Sequence, residues 1–387
     1  MMESLPLEIN LLRICAQGLI TTTYSKDVVE AVGNLLAVQG QQVSALPHAL
    51  LMRTLNTTIK DVSDAFASRE LVRSRPMRGT VHVTTAKDYH WMRLTLNHTH
   101  SPYNQRQMAT HGVDEKILQD ATEVAHGTIA NAGGTITREE LFKAWELNLS
   151  WSKNSAVPFR RIANILVWAL DCNGDLAEGP LGKNQHYFID ATKLPAADSE
   201  ESGFRIKQPG SKEGIAEVAR RYIWGHGPVT VADLARWAGI NKTVAWKAME
   251  QASETAGLIR ASIENSQLRP AVAPRSLQEA QKLFYLREEL SQILADNEKA
   301  TKQLMFLPAF DELHVGYHNR TCLTDRAGEK LICPSGNGMF RPIVIKDGRL
   351  IGVYPATLGL QWLALPDMQT EKEAKVAIET IKERMRW

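Results

Sequence analysis

The spacing of apolar positions changes period several times along the chain, and each change predicts an element. Residues 5–20 place Leu11, Leu12, Ile14, Cys15 and Leu19 on one side of a helix. A second helix starts at Asp27, an N-cap with Glu30 three residues on. Its apolar stripe runs Val28, Val32, Leu35 and Leu36, and one further step of four lands on Gln39. SALPHALLMRTL predicts a third helix and DVSDAFASREL (61–71) a short fourth. The period then switches to two in LVRSRPMRGTVHV, where Pro76-Met77-Arg78-Gly79 predicts a hairpin turn. A further helix begins at Thr85, with Asp88 closing its capping box. Helices followed by a two-stranded ribbon make a winged-helix plan.

That plan returns twice. VDEKILQDATEVAHGTIA reads as a helix that Asn131-Ala132-Gly133-Gly134 breaks, and Thr137 with Glu140 caps the next one. Pro158 falls at the first helical position of PFRRIANILVWAL, whose core stripe is Ile162, Ile165, Leu166 and Trp168. Extended runs ending in HYFI follow. Residues 191–213, rich in Pro, Ser, Gly and charge, predict an exposed linker. Beyond it, a helix through Tyr222, one capped by Thr230 and Asp233 and ended by Gly239, and one capped by Asn241 have helix-turn-helix spacing, with LIRASI as the next strand. A charged helix is expected over 276–300, then a hairpin turning on Lys346-Asp347-Gly348 and a closing amphipathic helix over 370–385. The predicted fold class is α+β. Tandem winged-helix units occupy 1–110, 111–195 and 212–275, and a small β-rich C-terminal domain occupies 276–387.

Composition narrows the picture modestly. A chain of 387 residues can hold two or three domains, and 44% apolar with 23% charged residues is ordinary for a globular protein. A net charge of +2 means that any nucleic acid must be met by a local basic surface. Cys15, Cys172, Cys322 and Cys333 form no CxxC pair, which suits reduced thiols and offers no zinc framework. The first residues include Glu3 and Glu8 and no continuous apolar run, so no signal peptide is expected. No run of about 18 apolar residues occurs, so no membrane span is expected, and the predicted location is a bacterial-type cytoplasm.

The candidate chemistry lies in Gln39-Gly40-Gln41. Gln39 takes a position the apolar stripe reserves for a hydrophobic residue, and Gly40 loosens the backbone before the second amide. Such amides must find partners or bear the cost of desolvation. Two readings stay open on the residues alone: amides satisfied by backbone groups at a helix end, or amides kept for a substrate.

The blocks VQGQQVSALPHALLMR (38–53), PMRGTVHVTTAKDYHWM (76–92), GHGPVTVADLARWAGI (225–240), FLPAFDELHVGYHNR (306–320) and FRPIVIKDGRLIGVY (340–354) carry a resemblance. The chain resembles the winged-helix DNA-binding family that includes the bacterial AlkZ and YcaQ alkylpurine DNA glycosylases. In AlkZ-like members the catalytic signature is Gln-x-Gln, which Gln39 and Gln41 match; the YcaQ branch carries Asp at the second position. Gly40 departs from the larger apolar residue expected between them. The resemblance implies three winged-helix units arranged around a wide cleft. It also implies a monofunctional enzyme that releases alkylpurines from double-stranded DNA, unhooks crosslinks and acts as a monomer. The chemistry is coherent. An N7- or N3-alkylated purine is already cationic, so it leaves without a proton, whereas ordinary glycosidic hydrolysis needs carboxylates. Two converging amides can accept both hydrogens of a water and turn its lone pair toward the sugar.

Arg78, His82, Arg160, Arg161, Lys242, Lys247 and Arg320 are candidate DNA contacts. Asp311 and His314, with Glu312, are candidates for an acid–base group lining the cleft, and Arg320 either pairs with Asp311 or grips phosphate. His90, His98 and His100 invite a metal reading, but no carboxylate or cysteine completes a set, so neither metal nor cofactor is expected. The alternative function is a winged-helix transcription regulator or DNA-structure binder without chemistry. Near-neutral charge and a Gln-x-Gln set on a buried stripe both disfavour it.

Overall fold

A computed structural model describes residues 4–96, 102–149, 158–182 and 185–386. It is a mixed α and β structure with antiparallel sheets, and it divides into two compact units. One joins Met1–Val62 to Ile215–Trp387; the other is Ser63–Gly214.

The first unit is built around the helix Leu7–Ala16. Every residue from Ile9 to Ala16 is buried, Asn10 and Arg13 included, so this is a core helix rather than an amphipathic surface one. Its polar residues are answered inside: Asn10 Nδ2 donates to the Gly348 carbonyl at 2.6 Å and Arg13 Nε to that of Pro228 at 3.1 Å. Leu11, Leu12 and Ile14 pack with Leu286, Leu307 and Ile345. The helix Val28–Leu35 starts as expected, with Asp27 accepting the Glu30 N–H. It does not reach Gln39. Leu36 takes φ 64° and turns the chain out of the helix, so Val38–Gln39 is a two-residue strand. The i+4 step continues the stripe on paper because Ala37 and Val38 are buried as well, but they are buried in extended chain.

The helices Lys212–His226, Val231–Ala238 and Lys242–Ala252 follow one another as predicted, with Gly239 at φ 72° between the last two. The strand Leu258–Glu264 then pairs antiparallel with Gln267–Pro270 on one side and Phe284–Arg287 on the other. This third strand corrects the single helix expected over 276–300. Phe284, Tyr285 and Leu286 are all buried and form a strand between the short helix Leu277–Ala280 and the helix Leu290–Thr301. Aromatic and branched residues favour that pairing over a helical turn. The last sheet runs Gln361–Trp362, Arg349–Val353, Ile343–Lys346, Met305–Leu307, all antiparallel. The helix Met368–Arg384 closes on it through Ala374, Ile378 and Ile381 against Phe306 and Val344.

In the second unit, the strands Thr80–Thr85, Leu71–Met77, Leu176–Leu181 and His186–Asp190 lie side by side in that order. The helices Glu115–Asn131, Arg138–Asn148 and Phe159–Asn173 share a core of Ala121, Ala125, Leu141, Trp145, Ile162 and Leu166. Thr137 and Glu140 form the expected capping box; Thr85 Oγ1 accepts the Asp88 N–H and donates to the Asp88 carboxylate, the side-chain half of the other. Pro158 is the N-cap rather than the first helical residue. Residues 194–211 hold neither helix nor strand; half of them are exposed, and Leu194, Ala197 and Ile206 are buried.

The hairpin at Asp347 and Gly348 turns with φ 52° and 69°, the two-residue turn its sequence predicts. A Cβ on Gly348 would lie 2.5 Å from Leu11 Cδ2 in the central helix. Gly348→Ala is therefore expected to cost about 2 kcal/mol of unfolding free energy, from left-handed strain and overpacking together, measured by urea denaturation.

Candidate active site

Gln39-Gly40-Gln41 lies where the chain leaves the strand Val38–Gln39. Gln39 is half-buried, Gly40 is buried and Gln41 is exposed. Among the described residues neither side-chain amide of the pair has a hydrogen-bond partner, whereas neighbouring Gln42 donates to Ser44 Oγ at 3.0 Å. The motif is followed by the short 3₁₀ turn Val43–Ala45 and the helix Leu46–Leu51, which has Pro47 in its first turn.

The backbone of the motif is held from below by a carboxylate. Glu312 is 1% exposed, and its Oε1 accepts the Gln39 N–H at 2.8 Å. Its Oε2 accepts the Trp237 indole N–H at 3.3 Å and lies 3.3 Å from His226 Nε2. The rings of Tyr222, His226 and Trp237 wall this carboxylate, the first two stacked with centroids 4.6 Å apart. The preceding residue is buried too. Asp311, 2% exposed, takes Arg53 in a two-pronged ion pair at 2.9 and 3.0 Å and caps the helix Glu312–Val315. Arg53 also donates to Gln17 Oε1 at 2.9 Å. Gln17 donates to Tyr317 Oη at 2.8 Å, and Tyr317 donates to the His226 carbonyl at 2.8 Å. Two bulky residues bracket the arrangement in left-handed backbone, Leu36 at φ 64° and Phe310 at φ 61°. Such strain persists where the surroundings over-determine it.

Asp311 and His314, expected to line a cleft as an acid–base group, are instead buried and committed. His314 Nε2 lies 3.1 Å from Glu329 Oε2, and burial pushes its pKa below the ordinary imidazole value. Arg320 pairs with Glu329 at 3.0 Å, not with Asp311, whose charge Arg53 takes. What sequence reasoning missed is the reach of Glu312 to Gln39 and the role of Arg53 and Gln17. The only signal available was their polarity within apolar runs.

The predicted DNA contacts fall on several elements, four of them in the second unit and three in the first. Arg78 is exposed at the hairpin turn with φ 54°. His82 is fully buried and bonded through Nδ1 to the Thr80 carbonyl at 2.9 Å, so its ring does not face solvent as expected. Arg160 and Arg161 are exposed on the first turn of Phe159–Asn173. Lys242 and Lys247 are exposed on Lys242–Ala252, the former donating to Gln281 Oε1 at 3.1 Å. His90 bonds the Ala191 carbonyl at 2.9 Å, while His98 and His100 lie outside the described residues. Among the described residues no group of three or more His, Cys, Asp or Glu side chains could hold a metal ion, and no helix is long and apolar enough to cross a membrane.

Comparison with known proteins assigns this architecture to an enzyme class, the DNA glycosylases. The family model described as DNA glycosylase AlkZ-like matches residues 32–358, a span that includes both Gln39-Gly40-Gln41 and Asp311-Glu312. The chain belongs to the AlkZ-like DNA glycosylase family. An "Interstrand DNA cross-link repair glycosylase" of Streptomyces sahachiroi is 22% identical over 354 residues, covering 90% of this chain and 87% of that one. The solved structure of Streptomyces sahachiroi DNA glycosylase AlkZ superposes with a TM-score of 0.70 at 20% identity, over 98% of each chain, and so shares the fold.

Two outcomes follow from the buried groups. Asp311→Ala would leave the Arg53 guanidinium unpaired in the core and is expected to lower unfolding free energy by about 3–5 kcal/mol in urea titrations. His48, on the helix after the motif, is buried with its Nε2–H donated to the Phe306 carbonyl at 2.8 Å, and burial pulls its pKa down to about 4. The unfolded ring, near 6.5, takes a proton that the folded ring refuses. Its stabilisation is therefore complete above that value and lost as pH falls toward 4. Compared with His48→Gln, wild-type stability is expected to fall more steeply between about pH 6 and 4.5, by up to about 1.4 kcal/mol per pH unit.

Proposed function

We propose that Gln39 and Gln41 are the catalytic residues of this glycosylase and that its substrates are cationic N7- or N3-alkylpurines in double-stranded DNA. The observation that carries the reading is the contrast between amides and acids. Both motif amides lack a hydrogen-bond partner among the described residues, while Asp311, Glu312 and His314 are buried and already bonded. The acid and base of ordinary glycosidic hydrolysis are therefore not available from that block. A base that departs as a neutral molecule from a cationic nucleotide needs no acid. It needs a water held under the anomeric carbon and dipoles facing the developing oxocarbenium ion. Amide carbonyls supply both, and neutral groups add no unpaired charge to the site.

The product is an abasic site, formed without a covalent enzyme–DNA intermediate. The name of the Streptomyces relative supports extending the substrates to interstrand crosslinks. The helix–helix–hairpin segments at 1–110, 111–195 and 212–275 act on this reading as winged-helix units, with 276–387 as the β-rich domain. Arg78, Arg160, Arg161, Lys242 and Lys247, all exposed, supply positive charge that a nearly neutral chain needs on DNA, whereas Arg320 is spent on Glu329. The enzyme works as a monomer in the cytoplasm, and Gln41 places it on the Gln-x-Gln branch.

The test is release of N7-methylguanine from a duplex under single-turnover conditions, read as strand breaks after heating in alkali. Gln41→Ala is expected to lose about 10²-fold or more in rate while binding the duplex as before. Unchanged release by that variant would remove the assignment; duplex binding with no release from any alkylated or crosslinked substrate would favour a pure binding protein.

A further inference from the structure

The Gln39 N–H points into the protein and meets a carboxylate there. Glu312 Oε1 and Oε2 receive between them the Gln39 N–H, the Trp237 indole N–H and the approach of His226 Nε2. A carboxylate accepts at both ends, whereas an amide of the same shape accepts at one end and donates at the other. The Trp237 and Gln39 donors lie at opposite oxygens, so no orientation of a neutral amide satisfies both. Negative charge at this depth is costly unless each lone pair is used, and a group kept at 1% exposure is held by its surroundings.

Those surroundings leave the carboxylate no second place to go. The stacked Tyr222 and His226 rings and the Trp237 indole wall it. At Gly316 even a Cβ would come within 3.2 Å of Oε2 and 2.5 Å of the Glu312 carbonyl oxygen. The helices Lys212–His226 and Val231–Ala238 thus fix the carboxylate, and the carboxylate fixes the peptide between Val38 and Gln39. On the far side of that peptide, the reversal at Leu36 fixes where the chain comes from. The residue after Gln39 is glycine, so the peptide that orients the first amide is set by tethers rather than by a bulky neighbour at position 40.

We propose that Glu312 is the positioning residue of the Gln39-Gly40-Gln41 motif, its buried carboxylate setting the backbone from which the amides reach the water and the sugar. This rests on the catalytic reading of the two glutamines. Glu312 is buried away from the surface on which the amides lie. It acts through Gln39.

The experiment compares wild type, Glu312→Gln, Glu312→Asp and Gln41→Ala. Three quantities are read: the single-turnover rate of N7-methylguanine release, affinity for a duplex bearing a non-hydrolysable tetrahydrofuran abasic analogue, and hydrogen exchange of the Gln39 amide in wild type. Glu312→Gln keeps the volume but misplaces a donor; Glu312→Asp keeps the charge but withdraws it by one methylene. Both are expected to slow release by about 10–100-fold, the penalty of an ångström-scale misplacement, with duplex affinity changed less than about twofold. The wild-type Gln39 amide is expected to exchange far more slowly than those of exposed loops. A wild-type rate in either variant overturns the proposal, as does a loss of rate matched by an equal loss of affinity. If the variants do not fold, wild-type exchange decides: a Gln39 amide that exchanges as freely as an exposed one overturns it. A wild-type rate in Gln41→Ala, whatever Glu312 does, removes the catalytic reading instead. An inactive Gln41→Ala beside a fully active Glu312→Gln removes only this inference.

Discussion

Two adjacent carboxylates kept out of water set the terms for the first unit. Asp311 and Glu312 are both buried, and a buried charge is tolerated only where its lone pairs are used. Arg53 answers Asp311 with both guanidinium prongs and is itself held by Gln17 from the central helix. Trp237, His226 and the Gln39 peptide answer Glu312. The chain from Arg53 through Gln17 and Tyr317 to the His226 carbonyl joins the two ends of this network. These shared bonds tie Gln17, Gln39, Arg53, His226, Trp237 and the 311–317 stretch to one another, and each bond polarises the next. The left-handed Leu36 and Phe310 are what such over-determination allows.

The same commitment divides labour between acids and amides. Asp311 and Glu312 are spent on architecture, and the side chains left open at the motif are uncharged. On the proposed reading of the two glutamines, such a glycosylase is matched to substrates that bring their own positive charge, because the enzyme then has no proton to deliver. That proposal carries selectivity against undamaged bases with it: a neutral purine lacks the charge that makes it leave, and two amides do not replace it.

What could be read from the sequence was local. Capping by Asp27, Thr85, Thr137, Thr230 and Asn241, and the turns at Arg78-Gly79 and Asp347-Gly348, depend on residues within four positions of one another, and each is present. The Gln-x-Gln pair was legible as an anomaly of residue type. Its setting was not, because a period of 3.6 cannot announce that Leu36 reverses the backbone. Nor can periodicity find partners 273 residues apart, as Gln39 and Glu312 are, or 258 apart, as Arg53 and Asp311 are. The block around Asp311 stood out correctly, yet Arg320, its nearest arginine in the sequence, belongs to Glu329. The strand Phe284–Arg287 was hidden for the same reason, since its pairing with Leu258–Glu264 outweighs the helical pattern on either side.

The first unit is discontinuous, its opening 62 residues finding their companions only after residue 215. On a ribosome, therefore, the glutamines emerge early and wait while about 150 residues of the other unit are made, roughly eight to thirty seconds at ordinary elongation rates. The carboxylate beneath them arrives later still. Birth order thus separates the making of the glutamine loop from its anchoring, and a nascent chain halted short of residue 312 would carry both amides with no floor under them.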